Sequence, residues 1–388
     1  MAHAQPQVAY SAQPSLANPA DGYATPDAQR QAFLLDALRR SLPLPNPIVN
    51  PALGQTYNHP MTASGIARGV WLDVTATVTV TLNGGTAAIS SRGPENFFSS
   101  VRAFDPATNE RVRAPGHWLK RLDIVKHPWP YDPSATLISY DYSPGVYTSP
   151  VVNGANQWHF GLWIPFEVAP YDTRGVMNLE SATSRAYIEY DTTNSLYGAT
   201  NESVVVVTGG ATVALTAMTI APQYEFYAPV QEGGQVVIPE EDMTVIHEVI
   251  YTRNQNNLSA GGDLQYTLVS GRSYIRMMSA LMSNGSEVFG TVPVGGHGAS
   301  GATQFAYQYD AENRVRRESV SEYAGRIRRV FGRDLGWFLW DWVEKPWDSS
   351  EYGEIDLLLS LDNNISTTSP FYQDVLRECL YTAGSAAA

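Results

Sequence analysis

The sequence predicts an all-β chain of two consecutive halves, each a sandwich or a jelly roll, behind an N-terminal arm carrying one amphipathic helix. Three observations predict it. Charged residues make up only 16% of the chain, against roughly 25% in ordinary soluble proteins, while 22 Tyr, 9 Trp, 31 Gly and 25 Pro crowd into 388 residues. Rings suit pleated strands, and Gly and Pro suit the turns between them. From about Tyr57 the apolar residues recur with period two. A polar, Gly-rich stretch, APVQEGGQVVIPEED (228–242), then divides the chain near residue 230 into halves at 51–230 and 231–388. Each half holds the strand count of one eight-stranded jelly roll.

Residues 1–50 form the arm. The first 24 are rich in Ala, Gln, Pro and Ser and read as a flexible tether. TPDAQRQAFLLDALRRSL then predicts a helix over about 26–42. Thr25 caps it, Pro26 suits the first helical position, and Asp27 complements the positive end. Ala28, Ala32, Leu35, Leu38 and Leu42 recur at helical spacing, Arg39 and Arg40 sit at the negative end, and Pro43, Pro45 and Pro47 stop it. Leu34, Leu35 and Leu38, with Arg39 and Arg40, are the expected contact with a neighbour or a membrane.

In WLDVTATVTVTLNGG (71–85), Leu72, Val74, Ala76, Val78, Val80 and Leu82 face one way and Asp73 with four Thr the other. That predicts a long strand with one covered face, ending in an Asn83-Gly84-Gly85 turn. Further strands are expected at 158–168, 184–191, 203–210, 212–227, 244–252, 263–270, 274–282, 336–343 and 353–361. ESVSEYAGRIRRVFG (318–332) predicts a second helix, its stripe made of Ser319, Val320, Tyr323, Ile327, Val330 and Phe331.

Catalytic and metal motifs fail one by one. HEVIY begins like a zinc-protease motif, but Tyr251 stands where a second His is needed. The glycines around Ser300 in GHGASGA are misplaced for a nucleophile elbow. Glu240, Glu241 and Asp242 read as a solvated loop run, and Asp341 and Glu344 would point to opposite faces of a strand. FDPATNER (104–111) reads as a structural turn. No metal, no cofactor and no enzymatic activity are expected. The lone Cys379 excludes an internal disulfide, no window approaches 18 apolar residues, and MAHAQPQVAYSAQPS lacks the parts of a secretory signal. These features suit synthesis in a reducing cytoplasm.

RIRRVFGRDLGWFLWDWVEKPW (326–347) poses a choice between a nucleic-acid grip and a buried wall. Net charge is −13, so polyphosphate is repelled overall. Arg326, Arg329 and Arg333 share the helix face opposite the apolar stripe and are expected to face a partner. Trp337, Phe338, Trp340 and Trp342 occupy both faces of the next strand. Each ring is worth about 4–6 kcal/mol when buried, which exposure to water would forfeit. The stretch is a wall, its strand central and covered on both sides, and no specific nucleic acid is expected.

Three segments carry a family resemblance. SVRAFDPATNERVRAPGHWLKRLDIV (100–125) resembles a segment of the major coat proteins of tectiviruses, the tailless phages with an internal membrane. The matching order is Arg102, Phe104, Asp105, Pro106, Asn109, Arg111, Gly116, His117, Trp118. IPFEVAPYDTRGVMNLESATSRAYIEY (164–190) is similar to a second family segment, and residues 326–361 resemble a third, marked by Lys345-Pro346 and Tyr352-Gly353. The Leu-rich arm departs from the Gln-rich helical stretch of the family. The resemblance implies two eight-stranded jelly rolls in one chain, a double jelly roll, with subunits joined as a nearly hexagonal homotrimer. It further implies a virion capsid made of such trimers around an internal membrane, with minor capsid and vertex proteins and membrane lipids as partners. The rival readings are a carbohydrate-binding or carbohydrate-active β-sandwich and a trimeric receptor-binding spike.

Overall fold

Period-two patterning and turn chemistry produce most strands where the sequence places them. The computed structural model describes residues 30–31, 33–34, 37–61, 64–126, 151–169, 172–179, 185–228, 244–255, 263–283, 286–288, 302–309, 314–331, 335–343, 346–349, 355–361 and 371–382. The predicted linker at 229–242, the Ser300 loop and the Glu240–Asp242 run lie outside them, as do Leu35, Arg333, Glu344 and the tether.

The strands before residue 230 begin with β1 (Leu38–Pro43), β2 (Ile48–Val49) and β3 (Thr56–Pro60). Next come β4 (Ile66–Thr81), β5 (Thr86–Ile89), β6 (Phe98–Phe104) and β7 (Glu110–Ala114), followed by a helix over Gly116–Lys126. Then follow β8 (Gly154–Pro165), β9 (Met177–Asn178), β10 (Tyr187–Thr192), β11 (Tyr197–Gly198), β12 (Val205–Thr208) and β13 (Thr212–Ala228). Beyond residue 230 lie β14 (Val245–Gln255), β15 (Asp263–Thr267), β16 (Ser273–Ser283), β17 (Ser286–Val288), β18 (Ala302–Tyr309) and β19 (Arg314–Ser319). A helix over Val320–Phe331 leads to β20 (Phe338–Asp341), β21 (Trp347–Asp348), β22 (Ile355–Leu361) and β23 (Phe371–Thr382).

Each side of residue 230 supplies two four-stranded layers. In the first, β1-β13-β4-β8 packs on β3-β10-β6-β7, with Phe98 edge-on to Phe160 across the gap at 6.4 Å. In the second, the layers are β17-β16-β23-β14 and β15-β22-β18-β19. β7 and β14 then pair in parallel through Val112–Val249 and Arg113–Ile250, so one layer from each unit continues as a single sheet. One contiguous apolar cluster runs through both, from Val74 and Phe160 to Met277 and Leu359.

Local chemistry explains the best-predicted elements. The inward residues of β4, including Leu72, Val74, Val78 and Val80, are buried as the alternation requires. Asn83 and Gly84 take positive φ, and Gly85 N donates to Leu82 O at 2.7 Å, closing the expected turn. Where β4 meets β8, Trp71 lies over Gly161 and Trp163 over Gly69, and a Cβ at either glycine would enter the ring. Asp105 Oδ1 accepts the N–H groups of Ala107 and Asn109 at 2.9 Å, and its Oδ2 accepts Arg111 Nε at 2.9 Å, so that turn is structural. The second helix starts on a capping box: Ser319 N donates to Glu322 Oε2 at 2.8 Å and Glu322 N to Ser319 Oγ at 3.3 Å.

Three expectations are corrected. The helix over about 26–42 gives way at Leu38 to a strand. Ala37 N still donates to Phe33 O, as in a helix, but β1 then pairs with β13 from Leu38–Ala228 to Pro43–Gln223. The prolines bar helix propagation, and the open edge of a 17-residue strand offers the backbone a partner. The aromatic strand is shorter than expected and not central: among the described residues β20 pairs only with β16, although Trp337, Phe338, Leu339 and Trp340 are all buried. Val330, assigned to the buried stripe, is 61% exposed.

Candidate assembly surfaces and the seam between the halves

The arm residues separate into an anchor and an exposed edge. Phe33 is fully buried against Ile66, Val176 and Tyr227, with its ring edge-on to Tyr227 at 5.6 Å, and Leu34 packs at the rim of that cluster. Arg39 lies over the Tyr227 ring, 5.8 Å from its centre. All six residues of β1 are exposed. Leu38 and Leu42 (49% and 39% exposed) flank Arg40 on one face, paired with Ala228, Phe226 and Tyr224 at the end of β13. Leu38, Arg39 and Arg40 are thus exposed, on a sheet edge rather than a helix.

The arginine row is partly spoken for within the chain. Arg326 donates to Glu318 at 3.0 Å and stacks over Tyr323 at 5.2 Å, while Arg329 is exposed. The hydroxyl of Tyr323 donates to Trp337 O and accepts Leu339 N, fastening the helix to the aromatic wall.

Sequence reasoning missed the densest chemistry, which lies where the two units meet. Arg92, after β5, reaches Asp374 at 3.1 Å and Glu287 at 3.3 Å on the far side. Arg121 reaches Glu287 at 2.6 Å and is fully buried between the rings of Trp118 (4.7 Å) and Trp337 (4.9 Å), one from each side of the seam. Arg253 holds Asp374 at 2.7 Å and Glu202 at 2.8 Å. Further along, Glu378 accepts Lys126 at 2.7 Å, Arg276 at 2.8 Å and His247 Nε2 at 2.8 Å. The Nδ1 of His247 contacts Phe166 O at 3.0 Å, and Lys126 donates to Glu167 O at 3.0 Å, so both bridge the seam. Tyr251, the residue that spoils the zinc motif, donates to Asp374 at 2.8 Å.

Charge here is matched at close range. Burial alone would raise the Glu378 carboxyl, but the Lys126 ammonium and Arg276 guanidinium outweigh it and hold it well below the usual carboxylate range. Glu287 is also lowered, since Arg121 and Arg92 outweigh its burial. Lys126 is lowered by burial, with Glu378 opposing. Burial pushes the Cys379 thiol up to about 12, which leaves it an inert core residue. Asp341 pairs with Arg276 at 3.3 Å, a structural contact. Among the described residues no three His, Cys, Asp or Glu are placed to hold a metal, and no helix is long and apolar enough to cross a membrane.

No family model and no curated protein matches the chain. Solved structures do. The MCP of STIV, the Sulfolobus Turreted Icosahedral Virus, superposes with a TM-score of 0.63 at 11% identity, over 89% of this chain and 97% of that one. PBCV-1 VP54, fitted into a reconstruction of the virophage Sputnik, gives 0.54 at 10% identity over 90% and 95%. The major capsid protein P2 from Bacteriophage PM2 gives 0.50 at 9% identity over 89% and 98%. The chain therefore has the double jelly-roll fold, as expected, over nearly the full length of these neighbours. A Sulfolobus virus and PBCV-1 stand beside the phage, so the fold does not single out tailless phages.

Proposed function

We propose that this chain is a major capsid subunit, a building block without enzymatic activity, that forms homotrimers which tile an icosahedral shell. One observation carries the reading: two eight-stranded units stand side by side in one chain, locked by a sheet that crosses between them. A trimer of such subunits presents six similar bodies, which is the geometry that closes into a ring and tiles in near-hexagonal order. The likeness to capsid proteins over nearly their whole length supports it. The domains are then 51–230 and 231–388, with 1–50 as the arm, whose β1 completes a layer of the first unit. Leu34, Leu35, Leu38, Arg39 and Arg40 are its contact with neighbouring trimers or internal membrane lipids, and Arg326, Arg329 and Arg333 the second contact row. Minor capsid and vertex proteins complete the shell, and the virion is the chain's location.

Size-exclusion chromatography with light scattering tests the reading. A heat-stable particle of three 42.5-kDa subunits is expected, with a six-lobed outline in electron micrographs. A monomer with affinity for sugars would replace it with the carbohydrate-module reading. A trimer present in only a few copies per particle would make it a spike.

A further inference from the structure

Two buried histidines sit at the seam in opposite company. His247 has a carboxylate and a carbonyl within 3.0 Å, each able to accept a proton-bearing nitrogen. His117, in the Gly116-His117-Trp118 start of the first helix, is 1% exposed, and among the described residues neither ring nitrogen has a hydrogen-bond partner. The charges that act on it are Arg121 on its own helix, Arg92 in the loop after β5 and Arg253 on β14. Those guanidiniums are fixed in place, because Glu287 on β17, Asp374 on β23 and Glu202 before β12 engage them. The carboxylates are thereby occupied. Titratable groups on the elements around it include Glu95, on a single helical turn over Pro94–Phe97 whose backbone abuts Gly116, Lys120, which pairs with Asp123 on the same helix at 3.6 Å, and Tyr251 on β14, whose ring lies 6.2 Å from that of Trp118.

An imidazolium offers two donors and a positive charge, and this site supplies guanidiniums, which offer more of both. We propose that His117 makes the seam between the two jelly rolls an acid-operated release: the seam closes only around a neutral imidazole, so a proton taken up by that ring favours opening. The proposal concerns one chain and stands whether or not subunits assemble.

Burial first, and then Arg92, Arg121 and Arg253, hold the ring well below its ordinary value of 6.5. The opened chain binds a proton near 6.5 and the closed seam does not. The contribution of neutral His117 is therefore fully present above 6.5 and is lost as pH falls below it, by up to about tenfold in the closed-to-open ratio per pH unit. Glu95 works the other way. Burial pushes its carboxyl up to about 7, so the closed chain takes up that proton well before an open one would, at its ordinary 4.5. Between these values Glu95 masks His117. His247 is lowered by burial and by Lys126, with Glu378 and Phe166 opposing, and Glu287 and Glu378 act only below 4.5.

The test compares denaturant unfolding of the full chain, His117→Phe and Glu95→Gln from pH 8 to 5. His117→Phe keeps the ring volume and removes the titration. It is expected to gain about 30-fold in folding equilibrium over the parent between pH 8 and 5, while Glu95→Gln loses stability toward acid more steeply than the parent. Parallel curves for parent and His117→Phe overturn the proposal. If His117→Phe does not fold, the carbon resonances of the His117 ring in the parent decide: neutral down to pH 5 supports it, and a titration near 6.5 in the folded chain overturns it.

Discussion

The seam and the β1 edge face opposite solvents and follow opposite rules. At the seam, Arg92, Arg121, Lys126, Asp374 and Glu378 are buried, Glu287 is largely so, and each is matched within 3.3 Å. At the edge, Leu38 and Leu42 are apolar and exposed, and the exposed Arg39 and Arg40 lie beside them. Charge is hidden where the chain folds on itself, and apolar surface is left out where it ends. The difference teaches where specificity and where association reside. Buried ion pairs add little net stability over apolar packing but punish any misalignment severely, so they fix how the two units meet. An edge that leaves leucines uncovered has spare free energy for another body.

Removing one buried partner should break the comparison most sharply. Glu378→Ala takes the paired carboxylate from Lys126 and His247, leaves Arg276 with Asp341, and should cost about 3–5 kcal/mol, read as a lowered denaturant midpoint. The pH dependence has a definite sign. A carboxyl held below its unfolded value stabilises above about pH 4.5 and loses that contribution as pH falls through its folded value, so the parent should show an acid transition that Glu378→Ala lacks.

Arg121→Lys comes next. It keeps the charge toward Glu287 but loses the flat guanidinium between Trp118 and Trp337. A loss of about 2 kcal/mol is expected, with a change in tryptophan fluorescence that a purely electrostatic role would not produce. An unchanged midpoint would mean that the two rings meet without help from the cation.

These two positions also show why the seam was hard to read in the sequence. Arg121 lies in GHWLKRLDIVK, where Lys120, Arg121 and Lys126 interrupt any apolar stripe, yet ten of the eleven residues are buried. β23 hides both Asp374 and Glu378 inside a strand whose two faces are covered, so no alternation announces it. Period-two reasoning works where one face is wet, as in β4, and fails where charge is buried with its partner. The resemblance carried 100–125 and the double jelly roll, but the carboxylate partners of Arg92 and Lys126 lie more than 190 residues away in sequence. The arm failed for a different reason. Helix is present at 30–31 and 33–34, and from Leu38 a distant strand edge overrode the helical signal.

Arg326→Ala sharpens the comparison from the solvent side. Its pair with Glu318 is half exposed, so at most about 1 kcal/mol should be lost, and less at high salt. A larger loss would make the arginine row part of the fold rather than a surface for partners.

The smallest effect on the subunit is expected from Leu38→Asp with Leu42→Asp. Both side chains are already partly in water, and β1 keeps its backbone pairing with β13, so unfolding should shift by no more than about 1 kcal/mol. Assembly is where the change should register: trimers that form normally but fail to pack into shells, or shells that no longer retain lipid, as seen by sedimentation. If the double variant assembles as well as the parent, the exposed leucines are only the frayed rim of a sheet. If instead the isolated subunit loses several kcal/mol, β1 belongs to the core of the fold and the distinction between edge and seam disappears.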